Sequence, residues 1–161
     1  MRDHWAEEFV GYAEKRGLLC SRVRHRNGWL ETVDIANCRC FIKSASFNEG
    51  RQLYFLGVDP DKLREKGSAV VLCGGRKGKL SDVFIVPWKE FFGALAQSAA
   101  INTYRDREYL QYKFSIRERE GVWIASFQGG DQPVLNVSAM RFDAKDAVVQ
   151  LCAMECHASA K

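Results

Sequence analysis

Long apolar runs are what this sequence most conspicuously lacks. No uninterrupted stretch approaches the ~20 residues of a membrane-spanning helix. The opening Met1-Arg2-Asp3-His4-Trp5-Ala6-Glu7-Glu8 has none of the apolar segment of a secretory signal. Proline is scarce, with 3 in 161 residues, and no Ser/Gly-rich or low-complexity stretch divides the chain. The three histidines, His4, His25 and His157, lie far apart. With no Gly-x-Ser-x-Gly elbow and no Cys-His signature, serine-hydrolase and cysteine-protease chemistry lose their support. Gly74-Gly75-Arg76-Lys77-Gly78-Lys79 lacks the Gly-Lys-Ser/Thr ending of a phosphate-binding loop, so a nucleotide site is not expected there.

What is present fits one domain spanning 1–161. At this length roughly two thirds of the extended-chain surface is buried on folding, so no metal or disulfide staple is required. The six cysteines, Cys20, Cys38, Cys40, Cys73, Cys152 and Cys156, lie mostly in apolar or strand-like runs. They are expected as small core residues in a reducing, cytoplasmic setting. Cys38-x-Cys40 with Cys152-x₃-Cys156-His157 supplies zinc-type ligands, but the spacing matches no common zinc module, and no structural zinc is expected.

The hydropathy pattern predicts a mixed α/β fold, a central mixed sheet flanked by helices. Asp3 is placed to cap a helix from about His4 to Arg16, with Trp5, Phe9, Tyr12 and Ala13 on its buried stripe and Gly17 ending it. Leu18 to Ile35 reads as a hairpin turning at Asn27-Gly28. That register sets Arg22 against Val33, Arg24 against Glu31 and Arg26 against Trp29 on one side. Strands follow at Cys38–Ser46 and Arg51–Val58, a short helix at Asp61–Lys66, and an apolar strand at Ala69–Cys73. Gly74–Lys79 reads as a loop, Asp82–Val86 as a strand and Pro87–Gln97 as a helix. Leu110–Arg117 and Val122–Phe127 read as strands, and Asp143 caps a last helix reaching about Cys156.

The order of helix, hairpin and a strand ending in Lys-Ser resembles the PD-(D/E)XK, or restriction-endonuclease-like, nucleases. The residues carrying the resemblance are Asp34 and Phe41-Ile42-Lys43-Ser44-Ala45-Ser46, followed by Tyr54-Phe55-Leu56-Gly57-Val58 and Asp82-Val83-Phe84-Ile85-Val86-Pro87. It implies a nuclease-like core over residues 4–97 and a β-rich extension with a C-terminal helix over 98–161. Such enzymes place an acid on one strand and acid-x-Lys on the next, holding divalent metal against the scissile phosphate. Asp34 matches the first acid, which would bind Mg²⁺, and Lys43 matches the lysine. The second acid belongs at position 41, where this chain has Phe, and a phenyl ring cannot ligate Mg²⁺.

The resulting expectation is a DNA-binding domain, RNA being the lesser option, that has lost catalysis and needs no cofactor. An active Mg²⁺-dependent endonuclease with its acid relocated to Glu7, Glu8 or Glu31 is the alternative, and a protein–protein module is a second. The resemblance also implies a homodimer as one possible state. Candidate nucleic-acid contacts are Arg22, Arg24, Arg26 and Trp29 on the hairpin, Lys43 on its strand, Arg76, Lys77 and Lys79 in the loop, and Tyr104 and Arg105 downstream. For the hairpin the competing reading is an internal pair of Arg24 with Glu31. For Tyr104-Arg105-Asp106-Arg107-Glu108-Tyr109 it is mutual cancellation of alternating charges.

Overall fold

The computed structural model describes residues 4–24, 30–59, 67–102 and 110–154. The fold is mixed α/β, as expected, but it holds two sheets. In chain order the elements are α1 (His4–Lys15), β1 (Cys20–Arg24), β2 (Leu30–Ile35), β3 (Cys38–Ser46), β4 (Leu53–Val58), β5 (Ala69–Arg76), β6 (Lys79–Pro87), α2 (Trp88–Gln97), β7 (Ile101–Asn102), β8 (Leu110–Arg119), β9 (Val122–Phe127), β10 (Val134–Asn136), a 3₁₀ turn (Ser138–Met140), β11 (Arg141–Phe142) and α3 (Ala144–Ala153). The first sheet runs β1-β2-β3-β5-β6-β11 and is antiparallel except for the β3/β5 pair. The second runs β10-β9-β8-β4, with β7 also on β8.

Alternation along the central strands produces three layers. Cys38, Cys40 and Ile42 of β3, Val71 and Cys73 of β5, and Val83 and Ile85 of β6 face α1 and α3, meeting Phe9, Val10, Ala147 and Leu151. The intervening Phe41, Val70, Leu72, Phe84 and Val86 face the second sheet and α2, meeting Tyr54, Phe114, Trp123, Phe127 and Phe91. Both faces of β5 are therefore covered, which is why its sequence is apolar throughout. Asp143 caps α3 through the Asp146 amide at 2.7 Å.

Parallel neighbours need a crossover. Here β4 supplies it by leaving the first sheet to pair with β8. The strand expected at Arg51–Val58 exists at Leu53–Val58, but in the other sheet. Alternation fixes which residues share a face and says nothing of which sheet a strand joins.

The loop expected at Gly74–Lys79 is instead a hairpin, with β5 continuing to Arg76, β6 starting at Lys79, and Lys77 and Gly78 alone turning at φ 53° and 76°. Gly74 and Gly75 lie inside the strand. A Cβ at Gly74 would enter the Tyr54 ring, and one at Gly75 the Trp5 ring, so the two glycines admit aromatic rings onto opposite faces. The short helix expected at Asp61–Lys66 and the Asn27-Gly28 turn lie outside the described residues.

Cys38, Cys40 and Cys73 are buried core residues, in line with the sequence. Burial pushes the Cys40 thiol up to about 12, so it is inert at neutral pH. One expectation needs correcting: Cys38 is disulfide-bonded, whereas Cys20, Cys40, Cys73 and Cys152 are free. Its Sγ lies 3.5 Å from the Leu151 carbonyl oxygen, 113 residues along the chain, a proximity that spacing could not reveal. No helix among the described residues is long and apolar enough to cross a membrane.

Candidate nucleic-acid interface

The sites expected from sequence are largely occupied by internal partners. Arg22 points off β1 over α1, where it grips the Glu14 carboxylate through two nitrogens at 2.9 and 3.0 Å and also meets Glu7 at 3.2 Å. Arg24 reaches the same Glu7 at 2.7 Å. The expected facing of Arg24 with Glu31 is displaced by a register shift after Val23 that sets Arg24 against Leu30. The hydrogen bond from Arg22 holds the Glu14 carboxyl below its ordinary range, and the same bond is the first cause of the raised Arg22 value. Helix acids thus answer the hairpin arginines, because the β1 face carrying Arg22 is the face that packs α1. Arg26 and Trp29 lie outside the described residues, as do Tyr104 and Arg105.

The residues of the nuclease motif are not gathered into a site. The β2/β3 register sets Asp34 opposite Arg39 and Phe41 opposite Thr32. Asp34 is held by Arg39 at 3.0 and 3.3 Å. Lys43 lies four positions beyond Arg39 on β3, roughly 13 Å along the strand. Between them Phe41, 2% exposed, is buried against the second sheet. Ser44 is spoken for as well, accepting a 2.7 Å hydrogen bond from the Ala6 amide of α1. Among the described residues no group of three or more His, Cys, Asp or Glu side chains stands ready for a metal.

On the β5/β6 hairpin, Arg76 contacts Glu49 at 3.4 Å and its guanidinium lies 4.2 Å from the Phe47 ring centre. Lys77 and Lys79 are exposed at the tip.

Sequence reasoning missed the outer face of the second sheet. Its inner face supplies Phe114, Ile116, Trp123, Ala125 and Phe127 to the core, so the alternate residues turn outward. On β8 these are Gln111, Lys113, Ser115, Arg117 and Arg119. The register brings Phe55 beside Ser115, Gly57 beside Lys113, and Ile124 beside Arg117. Among the described residues no carboxylate pairs with Lys113, Arg117 or Arg119, in contrast to Arg22, Arg24, Arg39, Arg76 and Arg141. Glu118 alternates to the opposite side, and Glu120 sits in the β8/β9 turn at φ 54°. Two shallow depressions share Ser115 and Ser126, one bordered by Arg117, Arg119 and Ile124 and the other running towards Gln128 and Val134. Phe55 is 42% exposed, with the Lys113 ammonium 5.4 Å from its ring centre. The available signal was the alternation in Lys113-Phe-Ser-Ile-Arg117-Glu-Arg119, in which every second residue is cationic or small.

Comparison of the chain with protein-family models, with curated proteins and with solved structures finds no match. Function has to be argued from geometry and charge.

A second missed feature lies between the sheets. Asp82, 1% exposed, is the one buried charged side chain among the described residues. It accepts hydrogen bonds from the Tyr54 hydroxyl at 2.5 Å and from Arg141 at 2.6 Å. The Arg141 guanidinium also stands 4.9 Å from the Trp123 ring centre. Burial first, then the bond to Asp82, raises the Tyr54 phenol far above its usual value, so it stays a donor. The cluster ties β4 and β9 of the second sheet to β6 and β11 of the first. Its buried polar groups, both Asp82 oxygens and the Tyr54 hydroxyl, are partnered within the cluster, which marks it as a brace.

Proposed function

We propose that this chain is a DNA-binding domain, without hydrolytic activity, whose contact surface is the outer face of the β4-β8-β9-β10 sheet. The observation that carries this reading is the line of Lys113, Arg117 and Arg119 on one exposed strand face, unanswered by any described carboxylate, with the Phe55 ring beside it. Phosphate contacts of this kind supply sequence-independent affinity, and the small Ser115 and Ser126 leave a track for a backbone to approach. The hairpin makes a poorer surface, since Arg22 and Arg24 reach phosphate only by releasing Glu7 and Glu14. Lys77 and Lys79 extend the basic surface at a separate point.

The test is binding of DNA oligonucleotides at several salt concentrations by the wild type and by a Lys113→Ala/Arg117→Ala/Arg119→Ala variant. Arg117 and Arg119 are exposed and Lys113 is half-buried on the outer face, so none of the three fills the core, and a thermal melt verifies that the variant folds. Each lost phosphate contact lowers the slope of log affinity against log salt by roughly 0.7 to 0.9, and the variant should lose roughly 2 to 3 in total. An unchanged slope and affinity in the folded variant would overturn the assignment.

The absence of cleavage has its own test. Supercoiled DNA incubated with the protein in Mg²⁺ or Mn²⁺ should stay intact, because Asp34 is engaged by Arg39 and position 41 offers no oxygen ligand. Metal-dependent nicking that disappears in an Asp34→Ala control would establish the active-endonuclease alternative.

A further inference from the structure

On the same outer face, Gly57 is an anomaly. It sits inside β4, between Leu56 and Val58, which are both buried on the inner side. Glycine weakens a strand interior and marks places where something approaches the backbone closely. What surrounds the bare position is specific. An ideal Cβ there would stand 2.9 Å from the Gln111 Oε1 and 3.3 Å from the Lys113 Nζ, so an amide and an ammonium gather over the missing side chain. Two residues back, about 7 Å along the strand, the exposed Phe55 ring borders the same spot.

We infer that this notch, framed by Phe55, Gly57, Gln111 and Lys113, receives one unpaired nucleobase of a single strand whose phosphates run along Arg117 and Arg119. The inference rests on the DNA-binding reading and narrows it to single-stranded DNA. A ring open to solvent offers a stacking platform tolerant of any base. The Gln111 amide carries both donor and acceptor, which suits the mixed edge of a base. Lys113 meets either a phosphate or a base carbonyl. A duplex keeps its base faces stacked internally, so a notch walled by a ring favours a splayed strand. An acidic peptide would use the three cations but has no need of the exposed ring beside them. Lys113 lying across Phe55 serves as a lid that a base displaces or stacks against from the other side.

Two variants test this. Gly57→Val fills the notch with a good strand former, and the atoms it displaces are the far ends of the flexible Gln111 and Lys113 side chains. Phe55→Leu keeps apolar bulk and removes the π face. Each is compared with the wild type for binding a single-stranded oligodeoxynucleotide and the matching duplex, after thermal melting has verified folding. The expected result is about a tenfold loss of single-strand affinity in each and little change in duplex binding, with the salt slope unchanged in Phe55→Leu and lowered by at most roughly 0.7 in Gly57→Val, which shifts the Lys113 ammonium. Wild-type affinity in both variants, while the triple cation variant still loses its salt slope, would overturn the base notch and leave the DNA-binding surface standing. If the triple variant also binds normally, both readings fail together.

Discussion

Arg141→Met should cost about 3 kcal/mol of folding stability, far more than its half-exposed surface position suggests, because the substitution strands the Asp82 carboxylate in the core. Methionine keeps the aliphatic bulk against Trp123 while removing the 2.6 Å hydrogen bond and the positive charge. Asp82 is then left with the Tyr54 hydroxyl alone, and one neutral donor does not compensate a buried anion. The cost lies at the low end for breaking a buried pair, since the Arg141 side chain is itself half-exposed. Tyr54→Phe, by contrast, deletes one hydrogen bond and keeps the ring between Phe47, Phe84 and Trp123, for a loss of about 1–2 kcal/mol. Urea denaturation reads both, as shifts of midpoint at constant slope. A midpoint for Arg141→Met within error of the wild type would mean that water replaces the guanidinium at Asp82, and the brace would have no energetic content. The consequence for function is direct. The brace anchors Tyr54, and Phe55 and Gly57 follow it on the same strand, so loosening it also disturbs the proposed interface.

How much of this was legible in the sequence depends on the range of the interaction concerned. Local signals were read well. The helical stripe of Phe9 and Ala13, the Asp143 cap and the wholly apolar β5 each follow from residues within a turn or two of one another. Pairings beyond a hairpin were not legible. β4 looks like a fourth neighbour of β3, and only its contact with β8, more than 50 residues on, removes it to the second sheet. The carboxylates that answer Arg22 lie on α1, and the helix reaches them only because the first sheet packs beneath it. Asp82 reads as a polar residue opening a strand, and its burial depends on Tyr54 and Arg141, 28 residues before it and 59 after. The outer-face cations were present as a clean alternation in β8. That alternation acquires meaning only once the other side is known to be core, which leaves Lys113, Arg117 and Arg119 together on the uncovered side.

The motif that prompted a nuclease comparison leads to the second large effect. If Phe41 were merely a lost metal ligand, Phe41→Asp would restore acid-x-Lys beside Asp34 and with it a chance of cleavage. The structure gives the opposite expectation: the variant does not fold at neutral pH. Phe41 is 2% exposed between the two sheets, packed with the cluster that includes Val58, Val70 and Phe91. Removing the ring alone costs about 3–5 kcal/mol in transfer and cavity terms. A carboxylate in its place adds several kcal/mol of desolvation, with no described cation set opposite it, since the register places Thr32 there. The sum reaches much of the roughly 5–15 kcal/mol by which a domain is stable. The nearest acid on that face, Asp34, lies two register positions away and is already paired with Arg39. Phe41→Leu is the control, retaining most of the apolar volume, and should fold with a modest loss. Far-ultraviolet circular dichroism and a thermal melt separate the two variants, and a plasmid-nicking assay with Mg²⁺ completes the comparison. A folded Phe41→Asp protein that cuts DNA only with metal would show that position 41 opens onto a catalytic cleft, against both the burial of Phe41 and the non-hydrolytic reading. An unfolded variant beside a folded Phe41→Leu control would show that the phenyl ring at this position is a wall of the core, so that restoring the motif destroys the fold that would have to carry it.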